Sequence, residues 1–362
     1  MECFVLRRGL KVRQITLRDF RSYERLELEL EEGLVLVAGP NGAGKTNLVE
    51  AVHVGTQAFS PRTRADAQLI RFGCDGARVA LRAERHGGAA AVEVAIVRGE
   101  GKRARLNGAP LATTDQLRSE LPTLVFTPDR LVVIKGGPAV RRAYVDRTLT
   151  RLLPARASLP RAYGEALGQR NACLRKIGLG FSSKEALAPW SEQVVTLGSS
   201  LQAARLRLIE LLSPRFADVG EALGLPDCRL EHSAEPLTVE LLELRLARDL
   251  ERGTTSAGPH LDEIVVLAKG RELRSFGSQG EQRTAVLALL LAEAELLTER
   301  DTGAPLLLLD DVLSELDMAR REALIERLRG LGQTILTATS DSALPVRADQ
   351  VVRVSEGSAK AV

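Results

Sequence analysis

Gly39, Pro40, Asn41, Gly42, Ala43, Gly44, Lys45 and Thr46 spell G-x-x-x-x-G-K-[ST], a spacing suited to cradling phosphate. The glycines let successive backbone N–H groups face one centre, and the start of the following helix adds partial positive charge. Lys45 can reach the β- and γ-phosphates of ATP, and the Thr46 hydroxyl can ligate Mg²⁺. A plain glycine-rich turn is the competing reading. It is disfavoured because an apolar strand-like run, Leu34–Ala38, precedes the loop and a helical pattern follows it. A second apolar run, Leu306–Leu309, ends in the carboxylates Asp310 and Asp311. Ligands of open α/β sheets sit at the carboxyl ends of strands. Asp310 is thus placed to hold Mg²⁺, directly or through water, and Asp311 to orient or activate an attacking water. Ser278-Gln279-Gly280-Glu281-Gln282 precedes a long helical pattern, so Ser278 and Gly280 mark a second anion-binding helix start, 32 residues before Asp310.

These groups need elements to position them. Residues 12–20 and 26–30 alternate apolar and polar, as half-buried strands do, while Leu34–Ala38 reads as a strand buried on both faces. Residues 79–83 and 92–98 read as further strands, and Asn107-Gly108 as a turn. From 138 to 252 the apolar period becomes helical. Leu197, Leu201, Ala204, Leu208 and Leu211 share one face of a helix expected over 190–212. At 1.5 Å per residue that helix would span roughly 33 Å. Beyond 255, strand and helix alternate: strand 264–268, helix 281–300, strand Leu306–Leu309, helix Met318–Arg329 capped by Asp317, and strand Thr334–Ala338. This order predicts an α/β fold with a largely parallel sheet, formed by 1–126 and 255–362, and a mainly helical insert over 127–254.

The 362 residues suffice for two domains, and 44% hydrophobic content fits a globular chain. Cys3, Cys74, Cys173 and Cys228 are too scattered for a zinc knuckle or a CxxC redox motif. No run approaches the roughly 20 apolar residues that span a bilayer, so no membrane association and a cytoplasmic location are expected. The net charge is only +3, but it is unevenly spread. Between 138 and 176, nine Lys and Arg face only Asp146 and Glu165. Such a concentration suits either a phosphate backbone or a solvated helical surface. The low aromatic content, 3%, argues for duplex backbone over stacking on single strands. Trp190 is read as core, and His260 as either a structural turn residue or a contact to nucleotide or DNA.

Three motifs in this order resemble an ABC-type ATPase: the phosphate loop, the signature-like Ser278 block, and the acidic pair followed by Ser314-Glu315-Leu316-Asp317 as a D-loop. The blocks 276–284 and 309–317 resemble the RecF family in particular. So do Asp19-Phe20-Arg21, Gly137-Pro138 through Arg141-Arg142 to Asp146, and Gly258-Pro259-His260 with Asp262. The resemblance covers most of the chain. It implies an ABC-type P-loop ATPase head of the SMC type carrying the helical insert. It also implies ATP-dependent homodimerisation, weak DNA-stimulated ATP hydrolysis acting as a switch, and binding to gapped or junction DNA with RecR, RecO and RecA as partners. In that dimer Ser278 would act across the interface. The first ten residues precede the usual family start. Leu124 stands where a Q-loop glutamine can occur, and Thr337-Ala338-Thr339-Ser340 stands where transporters place a switch histidine. A transporter ATPase subunit is the alternative. Within the basic stretch Arg141, Arg142 and Arg170 are expected to meet phosphates, with the loop of Arg62 and Arg64 as the other basic candidate.

Overall fold

The computed structural model describes residues 9–85, 88–300, 303–314 and 316–362. The first eight residues, with Cys3, Arg7 and Arg8, and Glu315 of the D-loop block lie outside the described residues. The chain divides into one unit of 1–130, 222–224 and 287–362, and a second of 131–221 and 225–286.

The first unit begins with β1 (Lys11–Phe20), β2 (Tyr23–Glu29), β3 (Leu34–Ala38) and α1 (Lys45–Gln57). Then come β4 (Gly76–Arg85), β5 (Gly88–Val97), β6 (Gly101–Leu106), β7 (Ala109–Pro110) and β8 (Thr123–Phe126). Period-two patterning makes the first sheet antiparallel, in the order β2-β1-β4-β5-β6-β7. Ile15, Leu17, Leu26, Val79 and Val94 turn inward while the alternate residues face out. The second sheet has five parallel strands, in the order Gln350–Ser355, β3, Thr334–Ala338, Leu306–Leu309 and β8. Ser358–Ala361 adds an antiparallel edge. Its central strands are buried on both faces: all five residues of β3, every one apolar, and all five of Thr334–Ala338, two of them threonines, are buried. Helix α1 contacts strands of both sheets, and every residue from Leu48 to Gln57 is buried. It therefore lacks the one-sided apolar stripe of a surface helix.

The second unit contains the helices Pro138–Leu152, Leu159–Gly178 and Ala188–Ala222. It also has a three-stranded antiparallel sheet of Arg229–Ser233, Glu263–Ala268 and Arg271–Glu272. Two expectations need correction. The long helix runs over Ala188–Ala222, 35 residues, with Pro214 inside it. That is about 52 Å rather than 33 Å. Its apolar face continues past the expected end through Phe216 and Val219, whose burial outweighs the hydrogen bond proline lacks. The second unit also extends to 286 instead of ending at 254, because Glu263–Ala268 pairs with Arg229–Ser233 rather than joining the parallel sheet. No described helix is long and apolar enough to cross a membrane.

Candidate nucleotide site

The phosphate loop joins β3 to α1 at the carboxyl end of the parallel sheet. Backbone geometry explains its glycines. A Cβ at Gly39 would lie 2.3 Å from the carbonyl oxygen of Val354. Gly44 sits at φ 109°, where side chains are strained, and the Tyr23 hydroxyl donates to its carbonyl at 3.0 Å. The Lys45 ammonium donates to the carbonyls of Gly39 (2.7 Å) and Pro40 (2.9 Å), so it curls over the loop it serves. Burial draws the Lys45 pKa below its ordinary value, against the opposing pull of Asp310 and Asp311. A phosphate would restore the cation's partner.

Parallel pairing brings Leu306–Leu309 beside Thr334–Ala338, itself next to β3, so three strand ends converge. The Thr46 hydroxyl donates to Asp310 Oδ1 at 3.0 Å, and the Thr337 hydroxyl donates to the same oxygen at 2.9 Å. Burial pushes the Asp310 carboxyl up, while these two hydrogen bonds hold it down. The oxygen pair of Thr46 and Asp310 fits Mg²⁺. Among the described residues no cluster of three His, Cys, Asp or Glu could hold a metal. An ion here would take its other ligands from phosphate and water, as Mg²⁺ does. Asp311 is exposed and adopts φ 52°, a left-handed conformation uncommon for a residue with a side chain. Its N–H donates to Thr337 Oγ1 at 2.8 Å, which helps fix this backbone.

Other positions were not singled out from sequence. Glu50, 1% exposed on α1, accepts from Arg21 at 2.8 Å, from Ser60 at 2.6 Å and from Arg62 at 3.2 Å. The signal available was a carboxylate set between the apolar pairs Leu48-Val49 and Ala51-Val52. Tyr23 gave none, being one residue of an alternating strand. Gln57 is a buried donor to the Leu121 carbonyl and belongs to the packing.

Ser278 lies in the second unit, at the start of the helix Gln279–Thr298. Its hydroxyl accepts from the Glu281 N–H at 3.2 Å, and Glu281 accepts from the Ser278 N–H at 2.9 Å. This reciprocal capping box satisfies two donors at the helix start. A Cβ at Gly280 would meet nothing within 4 Å, so the helix end faces open space. Ser314 donates to the Asp311 carbonyl, and Asp317 caps Met318–Arg329 through the Arg320 N–H.

The basic stretch is largely structural where phosphate contacts were expected. Arg170 is 1% exposed and bonds Asp249 at 2.9 Å and Thr255 at 2.6 Å. Arg141 is also buried and bonds the Ile264 carbonyl and Glu263. Arg142 donates to the Asp262 carbonyl at 2.7 Å. Arg141 and Arg170 are buried on acceptors of their own unit, so the expectation that these two grip DNA is corrected, whereas Arg142 is half-buried. Removing one side of a pair buried on both sides, as Arg170–Asp249 is, costs about 3–5 kcal/mol. His260 proves structural: its ring nitrogens meet the Tyr163 hydroxyl (2.7 Å) and the Thr255 carbonyl (3.0 Å). Trp190 packs against the cluster of Cys173, Leu174 and Leu187. In the other basic loop, Arg62 bonds Asn47 as well as Glu50, and Arg64 is exposed.

The RecF/RecN/SMC N-terminal domain family matches residues 11–361. The DNA replication and repair protein RecF of Frankia alni is 36% identical, across 94% of this chain and 99% of its own. That of Geobacillus thermodenitrificans is 34% identical, across 96% and 98%. This chain belongs to the RecF family. A solved structure of the recombination mediator protein RecF with ATP, in the RecFOR pathway, superposes with a TM-score of 0.86 at 27% identity, covering 98% of this chain and 100% of the other. The Smc head domain of Pyrococcus furiosus, solved with the C-terminal domain of ScpA, gives 0.61 at 17% identity and attests the shared fold alone. The fold is therefore the ABC-type ATPase head of the RecF and SMC proteins. Family membership sets aside the transporter-subunit alternative.

Proposed function

We propose that this chain is an ATP-dependent DNA-binding protein of recombinational repair, a weak ATPase whose hydrolysis resets an ATP-held homodimer on gapped or junction DNA. The observation that supports it most is the meeting of Thr46 and Asp310 at 3.0 Å beside Lys45, because it joins a phosphate cradle to a buried carboxylate. Lys45 and the loop N–H groups bind the triphosphate and hold it against α1. Thr46 and Asp310 would hold Mg²⁺, which supplies charge neutralisation on phosphate oxygens when bound. Asp311, held by Thr337, orients the attacking water and accepts its proton. Ser278 of a second copy would close over the γ-phosphate, so ATP favours the dimer and ADP the monomer. By kinship with RecF of the RecFOR pathway, the partners are DNA, RecR, RecO and RecA, and the site of action is the cytoplasm.

The test uses two variants of the full chain. Replacing Lys45 with Met removes a charge-assisted contact of about 1.5–3 kcal/mol. Affinity for a fluorescent ATP analogue should fall about tenfold to a hundredfold. Asp311→Asn should bind ATP normally and slow single-turnover hydrolysis by about 10²–10⁴-fold. Unchanged affinity in the first would remove the loop from nucleotide binding. An unchanged rate in the second would place the water-orienting group elsewhere.

A further inference from the structure

The antiparallel sheet presents its outer face to solvent, and strand register sets its charges in lines across the strands. Arg25 of β2 pairs with Arg18 of β1, and Arg18 pairs with Arg78 of β4. Arg78 pairs with Ala95 of β5, and Ala95 with Arg103 of β6. One transverse line over five strands therefore reads Arg-Arg-Arg-Ala-Arg, and all four arginines are exposed. Like charges set directly opposite one another destabilise an antiparallel pair. Acids relieve the line only in part. Arg78 pairs with Glu93 at 2.6 Å and Arg103 with Glu100 at 3.0 Å. Among the described residues Arg18 has only the adjacent Asp19, at 3.9 Å, and Arg25 makes no ion pair.

We propose that this face is a docking surface for the phosphate backbone of duplex DNA, with Arg25, Arg18, Arg78 and Arg103 as its line of contact. The inference rests on the reading of the chain as a DNA-binding ATPase and says where the duplex lies. Four strand spacings make the line about 19 Å long. At 3.4 Å of rise per base pair, that equals the axial length of roughly six base pairs of a duplex. The concavity on this face has a volume of about 770 Å³ and is lined by five arginines, Arg18, Arg25 and Arg78 among them, against four carboxylates, so the line of arginines rather than the whole concavity carries the charge. Its lining contains no aromatic side chain, so it lacks the stacking platform a single strand would use. The hairpin that carries Arg18 and Arg25 also reaches the nucleotide site, since Tyr23 holds the Gly44 carbonyl and Arg21 holds Glu50. The DNA surface and the phosphate loop are thus two sides of one hairpin.

The test measures anisotropy of a labelled 30-base-pair duplex with the full chain and ATP, from 50 to 200 mM NaCl. In Arg25→Glu the new carboxylate faces Arg18, so the hairpin gains an opposite-charge pair and the melting temperature should not drop. That variant should flatten the slope of log K against log salt by about one, and Arg25→Glu/Arg103→Glu by about two. Reversing the exposed Arg156 and Lys176 of the second unit should leave the slope unchanged. The inference is overturned if the double variant keeps the wild-type slope and affinity, or if only the Arg156 and Lys176 reversal flattens it. A single strand of the same length that binds more tightly, and still depends on Arg25, would overturn the duplex assignment. A wild-type chain that binds no DNA would refute the DNA reading itself, a result distinct from a row that does not matter.

Discussion

At the residue scale, Thr337 ties the site together and is the most informative side chain to change. Its hydroxyl donates to Asp310 and accepts from the Asp311 N–H. Valine has the same shape and can do neither. Thr337→Val would leave a buried carboxylate short of a donor and a backbone N–H without its acceptor. The expected loss of stability is about 1–3 kcal/mol by urea unfolding. ATP affinity should change little, because Thr337 makes neither the loop nor its cation, while hydrolysis should slow as Asp311 loses its anchor. Wild-type stability together with wild-type hydrolysis would show that the 52° backbone of Asp311 is held by other contacts.

At the element scale, the helix Gln279–Thr298 depends on its capping box. The Ser278 N–H and Lys269 stabilise the Glu281 carboxylate and depress its pKa to about 2. A depressed carboxylate contributes stability that is present above its unfolded value and is lost as pH falls through the folded one. The window here runs from the ordinary 4.5 down to about 2. Glu281→Gln keeps the box geometry and deletes the charge. The melting temperature of the variant should lie below that of wild type at pH 7, and the gap should close as pH drops below 4.5. A gap that stays constant from pH 7 to pH 3 would mean that the charge of Glu281 does not support this helix start.

At the scale of the whole molecule, two units alternate along the chain, and the motifs divide between them. The phosphate loop and acidic pair lie in the first, and Ser278 in the second. A composite site built from two copies predicts that Ser278→Arg blocks ATP-dependent dimerisation through bulk and charge, yet leaves ATP binding by the monomer intact. Sedimentation velocity in an Asp311→Asn background, which holds ATP unhydrolysed, measures this. Dimers of Ser278→Arg at the wild-type concentration dependence would rule out the composite site.

The strands Leu34–Ala38, Leu306–Leu309 and Thr334–Ala338 and the helix Met318–Arg329 were legible to the residue, because apolar runs, glycines and an Asp cap are local signals. So were the phosphate loop and the acidic pair as separate motifs, whose residue types stand at fixed spacing, while the contact of Thr46 with Asp310 comes from parallel strand pairing. The second unit was legible as helical, but not in its boundary or in the roles of its arginines. Arg141 and Arg170 carry the same charge in the sequence as the solvent-facing arginines of the sheet. Only burial against Glu263 and Asp249 separates them, because a long cation can pair inside as readily as it can face water. Strand register is likewise non-local. Arg18, Arg25, Arg78 and Arg103 are spread over 86 residues of sequence, and only the hydrogen-bonded ladders of five strands bring them into one line. Local chemistry therefore came from the sequence, while the partner each charge faces was decided by tertiary pairing, where packing and register choose among residues that look alike along the chain.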